Sequence, residues 1–507
     1  MMNVGDEQSR SYWMCDASPI PASSLIEDVQ TDVAVIGGGI AGLSIAYEVS
    51  RHGRPVVLID RGEIGWGMTA RTTAHLASEL DDYYHELISV RGHDQARLYY
   101  QSQVAAINRA EAIVAEADMD CDFMRLNGYL IAASRADDEL LQREYHACRE
   151  LGVEVEWVAR APIPGVDSER ALRFPAQARF HPLKYLHGLA RAITSAGGRL
   201  CSNTTYVSTE EVSSGVVIRT EQGPTIRAKA AVFATNSPVN DKVAIHTKQL
   251  PYRTYAIAGN VPKGAVEDAL IWDTFDPYHY VRLQPLDQAH DLLIVGGEDH
   301  RSGKASDMTE RFVHLEEWTR ERYPAFAGAQ YRWSGQVLEP VDYLPFSGRN
   351  PGNRNIYIHS GDSGQGITNG IVGSLVIVPL ILGEDSRFGP VLDPGRVSPS
   401  AAGEFIQGVA GAVANLTEHL RPGEISSAEQ LQSGQGAILR RGLHKIAAYR
   451  SEDGTLVERS ATCTHVGCIV HWNSFERCWD CPCHGSQFAP DGAVLNGPAV
   501  TSLAPID

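Results

Sequence analysis

The chain has 507 residues, is 43% hydrophobic and carries a formal net charge of −18. That length leaves room for about three separately packed domains. The acidic balance excludes nucleic acid and anionic membrane surfaces as principal partners, because both are recognised by basic patches. The opening residues, MMNVGDEQSR, hold no basic stretch followed by an apolar one, so no secretory signal is read there. The apolar run 367–383 is broken by Gly370, Gly373 and Pro379 and reads as a buried helix rather than a bilayer span. The expectation is a cytoplasmic protein with no membrane span.

In chain order, DVAVI (32–36) reads as a buried strand, GGGIAG as a turn, the residues up to Gly53 as a helix, and PVVLID (55–60) as a second strand ending in an acid. Gly37, Gly39 and Gly42 form G-x-G-x-x-G between the first strand and the helix. The first glycine permits the tight turn, the second the close approach of a pyrophosphate, and the third close helix–strand packing. The helix N-terminus attracts the phosphate charge, and Asp60 stands where an acid can bond a ribose hydroxyl. The order strand, turn, helix, strand, acid predicts a dinucleotide site; a glycine-rich structural turn is the alternative. Segments 95–118 and 137–151 read as helices. VEVEWV, RLCSNTTYVSTEEV, VVIRTEQ, TIRAKAAVFAT and LLIVGG read as strands, and 356–383 reads as strand, glycine-rich turn, helix. The Pro-, Gly- and Ser-rich stretch 384–403 reads as a linker and 404–420 as a helix.

Of nine cysteines, five crowd between Cys463 and Cys483. Such crowding in one short stretch points to metal before a disulfide framework. CTHVGC (463–468) and CPCHGS (481–486) place a C-x-H and a C-x-x-H fifteen residues apart. Four Cys/His ligands at this spacing suit tetrahedral zinc or an iron–sulfur centre.

Three further segments separate FAD from NAD. DRGEIGWGMTARTTAHL (60–76), KAAVFATNSP (229–238) and HSGDSGQGITNG (359–370) resemble the flavin-contacting segments of the D-amino-acid oxidase-like superfamily, which includes glycine and sarcosine oxidases. The resemblance covers about 30–385. It implies an α/β, Rossmann-like FAD-binding domain with an inserted α+β substrate domain. Arg71 and Thr72 would lie in a loop running toward the flavin, and Gly364, Gln365 and Gly366 would place backbone amides by the N1–C2 edge of the ring. A helix N-terminus there stabilises negative charge on reduced flavin. No second G-x-G-x-x-G occurs in strand–helix context, so an organic donor is expected rather than NAD(P)H.

The two cysteine boxes, with Gly467, Pro482, Gly485, Ser486 and LNGPA (495–499), resemble Rieske proteins, over about 424–507. That resemblance outweighs zinc and implies a small all-β domain. Cys463 and Cys481 would ligate one iron of a [2Fe–2S] cluster, and His465 and His484 the other. It also implies a disulfide between Cys468 and Cys483, with Cys478 a bystander. Phe488 stands where high-potential Rieske proteins have a tyrosine. Missing that hydroxyl should lower the potential, because hydrogen bonds to the sulfurs raise it.

The expected division is an oxidoreductase part over 1–395, a linker and helix over 396–423 and the Rieske domain over 424–507. Within the first part, FAD-binding segments fall at about 30–85, 180–245 and 345–385, and substrate-domain segments at about 86–179 and 246–344. The resemblance implies oxidation of a C–N bond in a small amine or amino-acid-like substrate. The two cofactors suggest a relay to an external carrier such as a ferredoxin, cytochrome or quinone. Two other readings remain: electrons entering from a ferredoxin to drive a reductase or monooxygenase, and a redox sensor without turnover. His75 is a candidate general base. Arg282 is a candidate partner for a carboxylate, and Tyr252, with Tyr255, Tyr278, His279 and Tyr280, a candidate pocket aromatic. Thr368 replaces the lysine that sarcosine oxidases carry near the substrate, which argues against simple sarcosine-like substrates.

Overall fold

The computed structural model describes residues 4–134, 137–165, 170–240, 245–397 and 418–506. The helix expected over 404–420 lies almost wholly outside them; its end, Glu418–Leu420, is a short 3-10 turn.

The first layer is a mainly parallel sheet. Val29–Ile36 ends in four consecutive buried residues, Val33 to Ile36, as a strand covered on both faces requires. It pairs in parallel with Thr225–Phe233 on one side and Val56–Ile59 on the other. Ile356–Ser360 and Arg199–Cys201 extend the parallel set at its two ends. A hairpin, Tyr206–Val212 with Gly215–Thr220, joins Thr225–Phe233 antiparallel. Helices Ile40–Arg51 and Gly366–Leu382 pack against each other. Gly370 permits this approach: a Cβ there would stand 2.7 Å from Ile40 Cγ2. The run read as a buried helix is therefore core, and no helix of the described residues is long and apolar enough to cross a membrane.

The second layer is a nine-stranded mixed sheet. Its order is 331–340, 249–262, 290–301, 279–285, 270–273, 124–131, 171–179 and 75–76, with 156–158 also on 171–179. The chain enters this sheet at His75–Leu76 straight from the glycine-turn half, so the space between the layers is walled by both. The expected long strand over 199–212 is two strands, Arg199–Cys201 and Tyr206–Val212, and the expected 153–158 strand shortens to Glu156–Val158.

The composition of 384–397 suggested free linker, but this stretch is folded. Gly389–Leu392 is helical. Arg396 Nε and Nη2 each reach Asp342 at 2.8 Å, with the guanidinium 3.9 Å from the Phe346 ring centroid.

Two small antiparallel sheets form the C-terminal part. One contains Gly436–Arg441, His444–Arg450 and Leu456–Ser460. The other contains His471–Asn473, Cys478–Asp480, Gln487–Phe488 and Val494–Asn496. Both cysteine boxes lie in loops of this part. It docks on the rim of the interlayer space: Gln336 Nε2 donates to the Gly485 carbonyl (2.7 Å) and Asn496 Nδ2 to Gln336 Oε1 (2.8 Å).

Candidate active site and cluster site

A cavity of about 420 Å³ opens at the carboxyl ends of the parallel strands, between the two layers. That is where ligands bind in open α/β sheets, and its size suits a small-molecule site. Gly37, Gly38 and Gly39 form one end. Gly37 has φ +108°, and a Cβ there would stand 2.2 Å from the Ala234 carbonyl oxygen; one on Gly42 would stand 1.8 Å from that of Gly37. Only glycine fits either position. Asp60 borders the cavity and is oriented by the amides of Gly38 (2.7 Å) and Gly62 (2.9 Å). At the far end Gly364, Gln365 and Gly366 line the wall, and Gly366 starts the helix Gly366–Leu382. Gln365 is clamped by the Glu79 carbonyl and, at 3.2 Å, by the Tyr99 hydroxyl. The cradle fits an extended dinucleotide, with the phosphates at the glycine turn and an anion-stabilising helix start at the other end.

Several candidate residues have other tasks. Arg71 borders the cavity, but its guanidinium points into a buried ion cluster. It donates to the carbonyls of Val4 (2.8 Å), Ser9 (3.0 Å) and Ser334 (2.9 Å), and pairs with Glu476 (3.1 Å) and Glu7 (3.3 Å). The expectation that it binds cofactor is corrected: every direction of its fork is already taken. Thr72 lines the cavity; its carbonyl accepts from Trp13 Nε1 at 2.6 Å.

Arg282 is also corrected. It is fully buried and donates to the carbonyls of Ala74 (2.8 Å), Phe180 (3.0 Å) and Leu283 (3.1 Å) and to Gln284. It does not border the cavity, so no substrate carboxylate reaches it. Tyr252 likewise stays outside the cavity wall, on a strand between Arg301 and Val337.

His75 does line the wall, but both ring nitrogens are engaged, Nε2 by the Val281 carbonyl (3.2 Å) and Nδ1 by the Thr73 hydroxyl (3.0 Å). A carbonyl only accepts, so Nε2 holds the proton and Nδ1 accepts. Burial, with Arg282 adding repulsion, pushes its pKa down to about 3. His75 is a neutral structural ring, not a general base. Thr368 borders the cavity, and its hydroxyl accepts from the Ala77 amide at 3.1 Å. Tyr278 and Tyr280 are the candidate aromatics that reach the cavity.

In the C-terminal part, the Cys463 and Cys481 thiols touch. A hydrogen bond from Cys481 holds Cys463 below the usual thiol value despite burial, helped by the His465 and Val466 amides and the Ser486 hydroxyl. The same contact pushes Cys481 well above it. The His465 and His484 rings lie 5.0 Å apart, edge to face. His484 Nδ1 is buried with no hydrogen-bond partner among the described residues. An orphaned imidazole nitrogen on the same pair of loops as two touching thiols, with amide and hydroxyl donors already aimed at sulfur, fits a mixed Cys/His iron–sulfur centre. Cys468 and Cys483 form a disulfide between the two boxes.

Three features had no recognisable signal in the sequence. His246 is 1% exposed and sets its ring 4.9 Å from His465 and 5.7 Å from His484. Its Nδ1 lies 3.5 Å from Ser237 Oγ, next to Asn236 in the cavity wall. Residues from Ala493 to Ser502 of the C-terminal part also line the cavity. Finally, Glu7, Arg71, Arg253, Glu476 and Asp480 form one buried ion cluster joining three regions of the chain. Cys478 is packed within it, 3.6 Å from Asp480 Oδ1.

A dinucleotide cradle walled in part by the domain that carries a two-cysteine, two-histidine centre defines an iron–sulfur flavoprotein oxidoreductase. Comparisons with known proteins agree. The FAD dependent oxidoreductase (DAO) family matches residues 32–378, and the Rieske [2Fe-2S] domain matches 422–507. A Bacillus subtilis (strain 168) protein carrying the name Rieske 2Fe-2S iron-sulfur protein YhfW is 30% identical over 99% of this chain and 98% of its own. Gamma-glutamylputrescine oxidoreductase of Escherichia coli (strain K12) is 27% identical over 75% of this chain and 91% of its own. Among solved structures, glycine oxidase from Geobacillus kaustophilus covers 73% of this chain and 99% of its own, with TM-score 0.62 and 19% identity. The chain belongs to the DAO family of FAD-dependent oxidoreductases and carries a C-terminal Rieske domain; its cofactors are FAD and a [2Fe–2S] cluster.

Proposed function

We propose that the protein dehydrogenates a C–N bond of a small amine or amino-acid-like substrate and relays the electrons through its Rieske centre to an external carrier. The observation that carries this reading is the shared wall. The cavity is lined by the glycine turn, the 364–366 turn and residues 493–502 of the Rieske domain, and His246 bridges from that wall to both candidate histidine ligands. The names of two relatives, gamma-glutamylputrescine oxidoreductase and glycine oxidase, support C–N oxidation.

When bound, FAD supplies two-electron oxidation of the substrate and the cluster one-electron transfer. The residues of the chain position both. Amides of 37–39 would bind the phosphates, Asp60 would hold the ribose end, and amides of 364–366 would favour negative charge on the ring. Cys463, His465, Cys481 and His484 would hold the cluster. His246, buried against His465 and His484 and beside Ser237, would link the cavity wall to the loops that hold the cluster.

The test is anaerobic mixing of the holoprotein with a panel of amines and amino acids, following flavin absorbance and the EPR signal of the reduced cluster together. Flavin bleaching followed by growth of the cluster signal is expected. Bleaching with the cluster left oxidised would refute the relay. Reduction of the flavin by reduced ferredoxin, with no response to any amine, would reverse the direction.

A further inference from the structure

We propose that the end of the cavity beside the 364–366 turn binds an ammonium group of the substrate, so that the preferred substrates are diamines or polyamines rather than amino acids. This rests on the amine-dehydrogenase reading above and narrows it to a substrate class.

Glu79 and Asp81 both border the cavity at that end. Glu79 is 3% exposed, and no hydrogen bond or ion pair to its carboxylate is found among the described residues. Asp81 accepts from the Tyr278 hydroxyl at 3.0 Å. Its Oδ2 lies over the flavin-side turn: a Cβ on Gly364 would stand 2.2 Å from it. An uncompensated buried carboxyl is costly, so such a group makes sense where a cation arrives to meet it.

Among the described residues no cation meets these acids. Glu79 feels burial first, then Asp81, Glu144 and Asp82; Asp81 feels burial, then Asp82 and Asp299, with only the Tyr278 hydrogen bond opposing. Both are consequently pushed well above the usual carboxylate range. The wall facing them is aromatic. Trp272, Tyr278 and Tyr280 border the cavity, and the two tyrosine rings lie 5.6 Å apart. Ring faces attract an ammonium group.

The features an amino acid would need are missing from this end. Arg282 is bonded to backbone carbonyls and Arg71 to the ion cluster. Arg61, the other arginine on the wall, donates to the Leu495 carbonyl. His75 is neutral. A carboxylate brought here would meet two acids and no cation. A simple monoamine fits poorly for a different reason: the nitrogen being oxidised must be unprotonated to release electrons, which leaves no charge for the acids. A second, protonated nitrogen a few methylenes away satisfies both demands.

Because Glu79 and Asp81 hold protons more tightly than ordinary carboxyls, an arriving ammonium group displaces them. Binding should therefore release protons. The test is anaerobic calorimetry of the holoprotein with putrescine, butylamine, γ-aminobutyrate and glycine, in two buffers of different ionisation enthalpy, alongside flavin bleaching by each. Putrescine is expected to bind at least about tenfold more tightly than butylamine, with a buffer-dependent heat, and γ-aminobutyrate and glycine most weakly. Glu79→Gln should bring putrescine to within about threefold of butylamine. Equal binding of putrescine and butylamine, tighter binding of the carboxylate-bearing amines, or an unchanged ratio in Glu79→Gln would overturn the inference. Should Glu79→Gln fail to retain flavin, the wild-type ratio and the buffer dependence decide. If butylamine or glycine bleaches the flavin as fast as putrescine, this inference fails and the dehydrogenase reading stands. If putrescine binds selectively but no amine bleaches the flavin, the dehydrogenase reading fails and the ammonium site stands.

Discussion

Replacing Arg71 by methionine separates two roles that one position could serve. The guanidinium is fully buried, bonded to three carbonyls and paired with both Glu7 and Glu476. Removing one partner of a buried ion pair costs about 3–5 kcal/mol, because it leaves the other charge uncompensated. Arg253, 3.3 Å from Glu7, still supplies a cation to the cluster, and Glu7 can take up a proton. The lower end, about 3 kcal/mol, therefore applies, equivalent to roughly a hundredfold in the docking equilibrium. Hydrogen–deuterium exchange should show protection falling by roughly that factor around Ser9 and Glu476. The variant should keep its flavin. Loss of flavin with exchange unchanged at those segments would refute the assignment and return Arg71 to the cofactor.

The same cluster predicts a pH dependence. Burial pushes Glu7 up to about 7 from an ordinary value of 4.5, against the pull of Arg71 and Arg253. Between those values the folded protein holds a proton that the unfolded chain has lost, so this contribution to stability falls as pH rises from about 4.5 to about 7. Glu7→Gln should flatten that window in urea denaturation curves; an unchanged slope would place the titration elsewhere. At the cluster, Phe488 is fully buried in the same apolar cluster as Cys463 and Cys481. Redox titration followed by EPR should give a midpoint well below the top of the Rieske range of roughly −150 to +300 mV. Phe488→Tyr should raise it by roughly 40 mV, equivalent to about 1 kcal/mol for one electron.

Features set by local chemistry were the legible ones. Gly37, Gly39, Gly42 and Asp60 stand in a row as a turn-and-acid pattern, and the Cys/His boxes as a metal-ligand spacing that the resemblance to Rieske proteins, not the spacing, assigned to iron. Helices such as His93–Glu116 and Asp138–Leu151 showed their period. What stayed hidden depends on contacts between distant segments. Arg71 and Arg282 are chemically suited to a cofactor phosphate or a substrate carboxylate, and only the folded chain reveals that carbonyls and buried acids occupy them. His246 carries no motif; its place beside His465 and His484 arises from docking residues about 220–240 positions apart. Glu79 and Asp81 are ordinary acids in a row of letters, and their isolation from the cations of the described residues is a property of three dimensions.

The contact of His246 with the cluster loops also bears on how the cluster is kept. Both ring nitrogens of His465 and Nδ1 of His484 are buried, although both residues keep part of their surface exposed. The burial of these nitrogens therefore depends partly on the docking of the C-terminal part, which ties retention of the cluster to that docking. A chain whose C-terminal part cannot dock would be a yellow protein that holds its second colour less firmly.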